Sequence, residues 1–232
     1  RPVLTEIDPT TMTLDPEAAA AAVSRRTRAI VPVHLYGGAA DLGALRALAD
    51  KHGLALVEDC AQAHGTTFEG EHVGARADAA AFSFYPTKNL GAIGDGGAVT
   101  TSDPATAERV RSLRQYGWDA ERISREPGRN SRLDELQAAL LRVKLAHLPE
   151  LVAERRELAR RYDAALAGSG LALPATADGV EHSFHLYVVR VAEARRDRLA
   201  AALAARGIGT AIHYPVPVHG QPGYAREAIR GP

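Results

Sequence analysis

The segment from Ala29 to Asp59, AIVPVHLYGGAADLGALRALADKHGLALVED, decides the fold of this chain. Residues 29–35 at its start are largely apolar and predict a buried strand. Residues 42–52 have the spacing of an amphipathic helix, and residues 54–58 form a second short apolar run. A strand, a helix and a second strand in this order are typical of a parallel sheet covered by helices.

Signals at both ends of the predicted helix support this interpretation. Asp41 is a residue type that caps helix N-termini, and Gly53 follows the expected last turn. Two more short apolar runs, at residues 79–83 and 97–100, predict further strands of the same sheet. We therefore expect an α/β fold with a mostly parallel sheet and helices on both faces.

The second part of the chain has a different pattern. A long amphipathic stretch is predicted to open at Asn130 and to reach about Leu166, with Pro149 as a break. The order that follows is a strand over 185–191, a helix over 195–206 and a strand over 208–214. This order indicates a smaller α+β domain at the C-terminal end.

Composition excludes several classes of protein. The 232 residues include 28 basic and 28 acidic side chains, so the formal net charge is zero and no nucleic-acid partner is expected. The single cysteine, Cys60, excludes an internal disulfide framework, and we expect no metal site. No apolar run is long enough to span a membrane, and no secretory signal is visible. A cytoplasmic protein is the expectation.

The first chemically suggestive segment runs from Glu58 to Gly65 and reads EDCAQAHG. In an open α/β sheet the ligand crevice lies beyond the carboxyl ends of the strands, and both Asp59 and Ser83 follow such ends. A carboxylate there can pair with a protonated pyridine nitrogen and keep the ring able to accept electrons. Alternatively, Asp59 only caps a loop.

The second segment, from Ser83 to Gly91, reads SFYPTKNLG and places Lys88 just beyond a strand. A partly desolvated lysine has a lowered pKa, which makes its amine available as a nucleophile and a base. The hydroxyls of Ser83 and Thr87 can bind a phosphate. A lone lysine in a loop is more often a solvated surface group. The glycines of residues 91–97 lack a dinucleotide or P-loop pattern and indicate a tight loop.

Taken together, these segments resemble the pyridoxal-phosphate-dependent sugar aminotransferases of the DegT/DnrJ/EryC1/StrS family. The resemblance covers almost the whole chain, and its motifs occur in the family's order. The matching segments are Pro32–Gly37, Glu58–Gly65, Ser83–Gly91, Gly96–Val99, Asn130–Ala139 and His185–Val188.

The resemblance implies a role for each residue of the cofactor site. Lys88 would form the Schiff base with pyridoxal 5'-phosphate, and Asp59 would pair with the pyridine nitrogen. Gln62 would lie by the ring oxygen, and Ala61 against one face of the ring. Ser83 would bind the cofactor phosphate.

The resemblance also implies partners. Family members build each site across a homodimer interface, so Asn130 would reach the phosphate of the neighbouring subunit's cofactor. His213 and Tyr214 are similar to a family segment near the sugar-nucleotide site. The substrates would be an amino-acid donor, glutamate being the expected one, and a nucleotide-linked keto sugar.

The implied fold is aspartate-aminotransferase-like. Residues 1–128 would be the remainder of the large cofactor-binding domain, and residues 129–232 the connecting helix and an incomplete small domain. Family chains begin earlier and end later, so we expect this sequence to be truncated at both ends.

Three functions remain open at this stage. The first is amino transfer to a keto sugar, and Arg114–Trp118 with Asn130–Glu135 are similar to enzymes that act at C3 of dTDP-3-keto-6-deoxyhexoses. Enzymes that act at C4 or on cyclitols are alternatives. The second is dehydration by a sister 3-dehydrase, but those enzymes carry histidine where Lys88 stands. The third is a non-catalytic dimer partner without cofactor.

Overall fold

The structure is a computed structural model that describes residues 1–224 and the short strand 229–230. Residues 225–228 and 231–232, the last part of the predicted small domain, lie outside the described residues. The strands are β1 Val3–Leu4, β2 Ala29–Ile30, β3 Ala55–Asp59, β4 Thr67–Phe68, β5 Glu71–His72, β6 Ala79–Ser83, β7 Gly97–Thr100, β8 Val180–Glu181 and β9 Ile229–Arg230. The α-helices are α1 Pro16–Ala22, α2 Leu42–His52, α3 Pro104–Leu113, α4 Glu135–Ala146, α5 Leu148–Leu166 and α6 Glu193–Ala204.

The central sheet has the strand order β2-β3-β6-β7. Strands β2, β3 and β6 run parallel, and β7 pairs antiparallel with β6. The prediction of a mostly parallel sheet is therefore confirmed. A smaller sheet combines β5, β4 and β8, and β1 pairs with β9.

Helix α2 shows why this part of the chain folds as predicted. Its residues Leu42, Leu45 and Ala49 lie on one face and are buried in the core, which also contains residues of β2 and β3. The Asp41 side chain accepts a hydrogen bond from the Ala44 amide at 2.9 Å. The helix ends at Gly53, whose φ of 61° favours glycine.

The prediction of a strand over residues 29–35 is only partly right. Regular pairing covers Ala29 and Ile30, and a single bridge joins Val33 to Asp59 farther along. Pro32 lies between these points and has no N–H to donate to a ladder. Burial alternates along the segment rather than being continuous.

The long helical stretch begins later than predicted. Helix α4 starts at Glu135, and the Asp134 side chain caps it by accepting a hydrogen bond from the Gln137 amide at 2.8 Å. Asn130 therefore does not open this helix, because its backbone pairs with Gln115 instead. The break is confirmed at His147, with Pro149 in the first turn of α5.

The predicted strands over residues 185–191 and 208–214 are not present in the described structure. A strand needs a neighbouring strand, and the hydrogen bonds of the first segment go to isolated partners such as Tyr36 and Ala172. The second segment has no regular partner within the described residues and is exposed. The predicted helix between them is confirmed as α6.

None of the helices in the described part of the chain is long and apolar enough to cross a lipid bilayer.

Candidate active site

Asp59 and Ser83 lie at the same edge of the central sheet. They end the parallel neighbours β3 and β6, which pair Asp59 with Ala81. The Asp59 side chain accepts a hydrogen bond from the Ala61 amide at 3.0 Å, so it does cap its own loop. Only one carboxylate oxygen is used in this way among the described contacts. The capping role thus leaves the second oxygen available.

Lys88 lies in the loop that follows β6, in a turn closed by the hydrogen bond from its own N–H to the Tyr85 carbonyl at 2.9 Å. Gly91 is needed here, because a Cβ at this position would lie 2.5 Å from the Pro86 carbonyl oxygen. The half-buried position lowers the pKa of Lys88, while the negative charge of Asp59 acts in the opposite direction. The structure therefore brings these two residues into one electrostatic site.

Gln62 follows Asp59 by three residues and is buried. Its Oε1 accepts a hydrogen bond from the Tyr36 amide at 2.7 Å, and its Nε2 donates to the Tyr214 hydroxyl at 3.5 Å. Ala61, the neighbouring residue, is half-buried. The structure thus places Tyr214, which lies far along the chain, next to a predicted cofactor residue.

Two histidines and an asparagine near Lys88 carry buried side-chain atoms without hydrogen-bond partners among the described residues. These atoms are both ring nitrogens of His64, Oδ1 of Asn89 and Nδ1 of His185. Burial, and then the positive charge of Lys88, lowers the pKa of His64 to about 4. The same causes lower the pKa of His185 to about 4, with smaller contributions from other cations. Both rings are therefore neutral at pH 7.

These polar groups were missed by the sequence analysis. His64 stands two residues after Gln62 within the EDCAQAHG segment, so its position was a usable signal. His185 is the first residue of the 185–191 segment, whose strand prediction was wrong, and nothing in the local sequence links it to Lys88. Unpaired buried polar atoms are costly, and they often indicate a site that binds a ligand or water.

Ser83 and Asn130 are placed differently. The Ser83 hydroxyl accepts a hydrogen bond from the Tyr85 amide at 3.3 Å, so it lies at the start of the Lys88 loop. Asn130 is exposed, and its Oδ1 accepts a hydrogen bond from Arg132 Nε at 2.7 Å. The described contacts do not connect Asn130 with the other site residues of its own subunit.

A compact group of potential metal ligands lies behind the site. Ligand atoms of His34, Glu58 and Cys60 lie within 4.8 Å of one another, and all three residues are buried. The Glu58 carboxylate is already occupied by hydrogen bonds from His34 Nε2 at 2.8 Å and the Gly74 amide at 2.7 Å. Burial raises the pKa of the Cys60 thiol. A hydrogen-bonded core, rather than a metal centre, accounts for this group.

A family model for the DegT/DnrJ/EryC1/StrS aminotransferase family matches residues 1–231. The chain belongs to this family. It is 55% identical over 217 residues to the dTDP-3-amino-3,4,6-trideoxy-alpha-D-glucose transaminase of Streptomyces venezuelae, covering 93% of this chain and 57% of that protein. It is 52% identical over 235 residues to the transaminase of the same name from Micromonospora megalomicea subsp. nigra, covering 99% of this chain and 62% of that protein.

The solved structures agree with the family assignment. The crystal structure of S. venezuelae DesV in complex with a ketimine intermediate superposes with a TM-score of 0.91 at 54% identity, covering 94% of this chain and 59% of that one. This chain therefore has the fold of the pyridoxal-phosphate-dependent aminotransferases. It spans between 57% and 62% of the length of these two curated relatives.

Proposed function

We propose that this chain forms the larger part of an aminotransferase that uses pyridoxal 5'-phosphate to move an amino group from an amino acid to a nucleotide-linked keto sugar. The observation that carries this proposal is the shared sheet edge: Asp59 ends β3, the loop with Lys88 follows the neighbouring strand β6, and the charge of Asp59 acts on Lys88. Residues 1–128 would belong to the large cofactor-binding domain, and residues 129–232 to the connecting helices and the small domain.

The residues of the site fit this cofactor. Buried polar atoms of His64, Asn89 and His185, near Lys88, have no hydrogen-bond partner among the described residues. A bound ligand or water would supply these partners. When bound, pyridoxal phosphate supplies an aldehyde that accepts the amino group and a pyridinium ring that withdraws electrons from the adjacent carbon. The carboxylate of Asp59 would hold the proton on the ring nitrogen.

Three further residues would bind and orient the cofactor. Gln62 presents its Nε2 donor, since its Oε1 is already bonded to the Tyr36 amide. Ser83 offers a hydroxyl for the phosphate at the start of the Lys88 loop, and Ala61 presents a small side chain that allows a flat ring to approach.

Lys88 would attach the cofactor and move protons during the reaction. Both tasks need an unprotonated amine at Nζ, and burial lowers the pKa of Lys88 in this direction. In its free form, Nζ can take a proton from the carbon next to the transferred nitrogen and return it during the second half-reaction. A histidine at this position could not attach the cofactor in this way, because an imidazole has no primary amine to form a Schiff base.

The names of the relatives favour amino transfer at C3 of a dTDP-linked 3-keto-6-deoxyhexose. Glutamate is the amino donor that we propose. Two relatives, 55% and 52% identical, are transaminases named for a 3-amino sugar attached to dTDP. A third, 54% identical, is named as an erythromycin biosynthesis sensory transduction protein. His213 and Tyr214 would contact this substrate, because Tyr214 lies beside Gln62. A relative named for a UDP-linked substrate, 43% identical, keeps the nucleotide base open.

A homodimer with composite sites is part of the proposal. The exposed Asn130 would serve the partner's cofactor, consistent with its lack of described contacts to its own site. Helices α4 and α5 also expose large apolar side chains, including Leu136, Val143 and Tyr162. Exposed apolar side chains on neighbouring helices are expected where two subunits pack together.

A coupled assay of the intact protein against dTDP- and UDP-linked keto sugars with glutamate tests the proposal. Turnover of a dTDP-3-keto-6-deoxyhexose is expected, and Lys88→Ala serves as the inactive control. The alternative, a non-catalytic dimer partner, predicts no visible absorbance band of bound cofactor after addition of pyridoxal phosphate. Release of water from the sugar without amino transfer would indicate the dehydrase instead.

A further inference from the structure

Tyr36 has an unusual backbone conformation next to the site. It lies in the left-handed region, with φ 60° and ψ 2°, within the short 3-10 turn Leu35–Gly37. A residue with a side chain is rare there and persists only when its surroundings hold it. Its N–H donates to Gln62 Oε1 at 2.7 Å, and its carbonyl accepts from the Leu186 amide at 3.2 Å. The conformation is thus fixed from both sides.

This backbone bond also fixes the orientation of the Gln62 side-chain amide. Only an oxygen can accept from the Tyr36 N–H, so Oε1 must face Tyr36 and Nε2 must face Tyr214. The Tyr214 hydroxyl lies 3.5 Å from Nε2. Tyr36 therefore determines that Gln62 acts as a donor toward Tyr214 and toward any oxygen bound nearby.

The Tyr36 side chain makes a second, longer-range connection. Its hydroxyl donates to the carbonyl of His213 at 2.6 Å, although 177 residues separate the two. Burial, and then the proximity of Tyr214, raises the pKa of Tyr36, so this hydroxyl keeps its proton at neutral pH. Two long-range hydrogen bonds that involve side chains hold residues 208–217 in the described structure. One joins His213 to Tyr36, and the other joins Tyr214 to Gln62. The segment is otherwise exposed, with Tyr214 62% accessible.

We propose that Tyr36 is a positioning residue that ties the His213–Tyr214 segment to the Gln62 amide and thereby places Tyr214 for contact with the keto-sugar substrate. This role rests on the function proposed above. It adds the residue that positions the His213–Tyr214 segment for substrate binding. The backbone N–H of Tyr36 orients the Gln62 amide, and its hydroxyl holds the His213 carbonyl.

Tyr36→Phe separates these parts, because it removes the hydroxyl and keeps the backbone bond to Gln62. A nitroxide attached through Val216→Cys reports the motion of the segment, since Val216 is 43% exposed and the natural Cys60 is buried. We expect Tyr36→Phe to narrow the spectral lines of this label in cofactor-free protein. Tyr187→Phe is the matched control, because its hydroxyl donates to Asp163 at 2.7 Å in a different place.

We expect the greater mobility of the segment to weaken the binding of the keto-sugar substrate. Tyr36→Phe is expected to raise the KM of the keto-sugar nucleotide about three- to tenfold, the usual effect of one lost hydrogen bond. Its affinity for pyridoxal phosphate should not change, since Gln62 stays in place. Adding Tyr214→Phe to Tyr36→Phe should raise KM little further, because both changes release the same segment.

Unchanged mobility of the label in Tyr36→Phe would overturn the inference. It would also be overturned if the rise in KM of the double variant equalled the product of the rises in the two single variants. A loss of cofactor affinity in Tyr36→Phe would also overturn it, because Tyr36 would then support the cofactor and not the substrate segment. The label experiment needs neither cofactor nor substrate. A protein that binds no pyridoxal phosphate would therefore refute the proposed function while still giving a result for Tyr36.

Discussion

Glu58 and His34 form a fully buried pair next to Asp59, with 2.8 Å between Oε2 of Glu58 and Nε2 of His34. The other ring nitrogen of His34, Nδ1, accepts a hydrogen bond from the Ala40 amide at 3.1 Å. The ring hydrogen must therefore lie on Nε2, which makes His34 the donor and Glu58 the acceptor. Glu58 directly precedes Asp59, so this pair fixes the strand end from which Asp59 projects.

The first prediction concerns this pair. The Glu58 carboxylate accepts hydrogen bonds from the amides of Gly74 and Ala77. Glu58→Gln replaces one of its oxygens by an NH₂ group, which cannot accept, so at least one of these donors loses its partner. We expect a loss of about 1–3 kcal/mol in the free energy of unfolding for each donor left unpaired. Urea denaturation measures this loss. Glu154→Gln, at an exposed position of α5, is the matched control and should leave the midpoint nearly unchanged.

The second prediction concerns the electron-withdrawing state of the cofactor ring. Asp59→Asn keeps the size of the side chain but removes the negative charge that would hold the ring proton. Charge pairs shielded from water are strong, so most of the activity should disappear while some cofactor binding remains. Absorbance titration and the coupled assay measure the two effects separately. Wild-type turnover in this variant would refute the role of Asp59.

The third prediction concerns assembly. Lys88→Ala and Asn130→Ala should each be inactive, and mixing the two proteins should restore part of the activity. In a mixed dimer one of the two sites regains both groups, if Asn130 serves the partner's cofactor. Mass spectrometry of the mixture shows whether subunits have exchanged. Exchange without recovered activity would refute the cross-subunit role of Asn130, and a monomeric intact protein would refute the composite site.

The fourth prediction is a pH dependence of stability. Burial lowers the pKa of His64 and His185 to about 4 from an ordinary value of 6.5. Between these values the unfolded chain binds more protons than the folded one, so stability rises with pH across this window and falls on acidification. Denaturation midpoints from pH 4 to 7 should show this slope, and His64→Phe should reduce it. An equal slope in His64→Phe would contradict the contribution of His64.

Much of the fold could be predicted from local signals. Helix α2 begins and ends where Asp41 and Gly53 indicated, and the strands 79–83 and 97–100 match their predicted limits. These elements were predictable because short-range caps and apolar runs agree with the tertiary contacts. The common sheet edge at which Asp59 and the Lys88 loop lie follows from the same pattern.

Other features depend on distant parts of the chain. Asn130 and Asp134 are both good helix caps in sequence, and the pairing of Asn130 with Gln115 decides in favour of Asp134. The contact of Gln62 with Tyr214 joins residues 152 positions apart. No local pattern encodes these contacts. Only the family resemblance pointed to Tyr214. The roles of His64 and His185 were not predicted.

The fifth prediction tests the central claim, that Lys88 carries the cofactor. The chain has three lysines, Lys51, Lys88 and Lys144, so borohydride reduction followed by peptide mapping gives an unambiguous answer. Lys144 is already bonded through Nζ to the Gly91 carbonyl at 2.6 Å, and Lys51 is exposed at the end of α2. In protein loaded with pyridoxal phosphate, the reduced cofactor should be found on the peptide that contains Lys88, and Lys88→Ala should abolish both the label and turnover while leaving the fold intact. A label on Lys51 or Lys144, with Lys88 unmodified, would contradict the account.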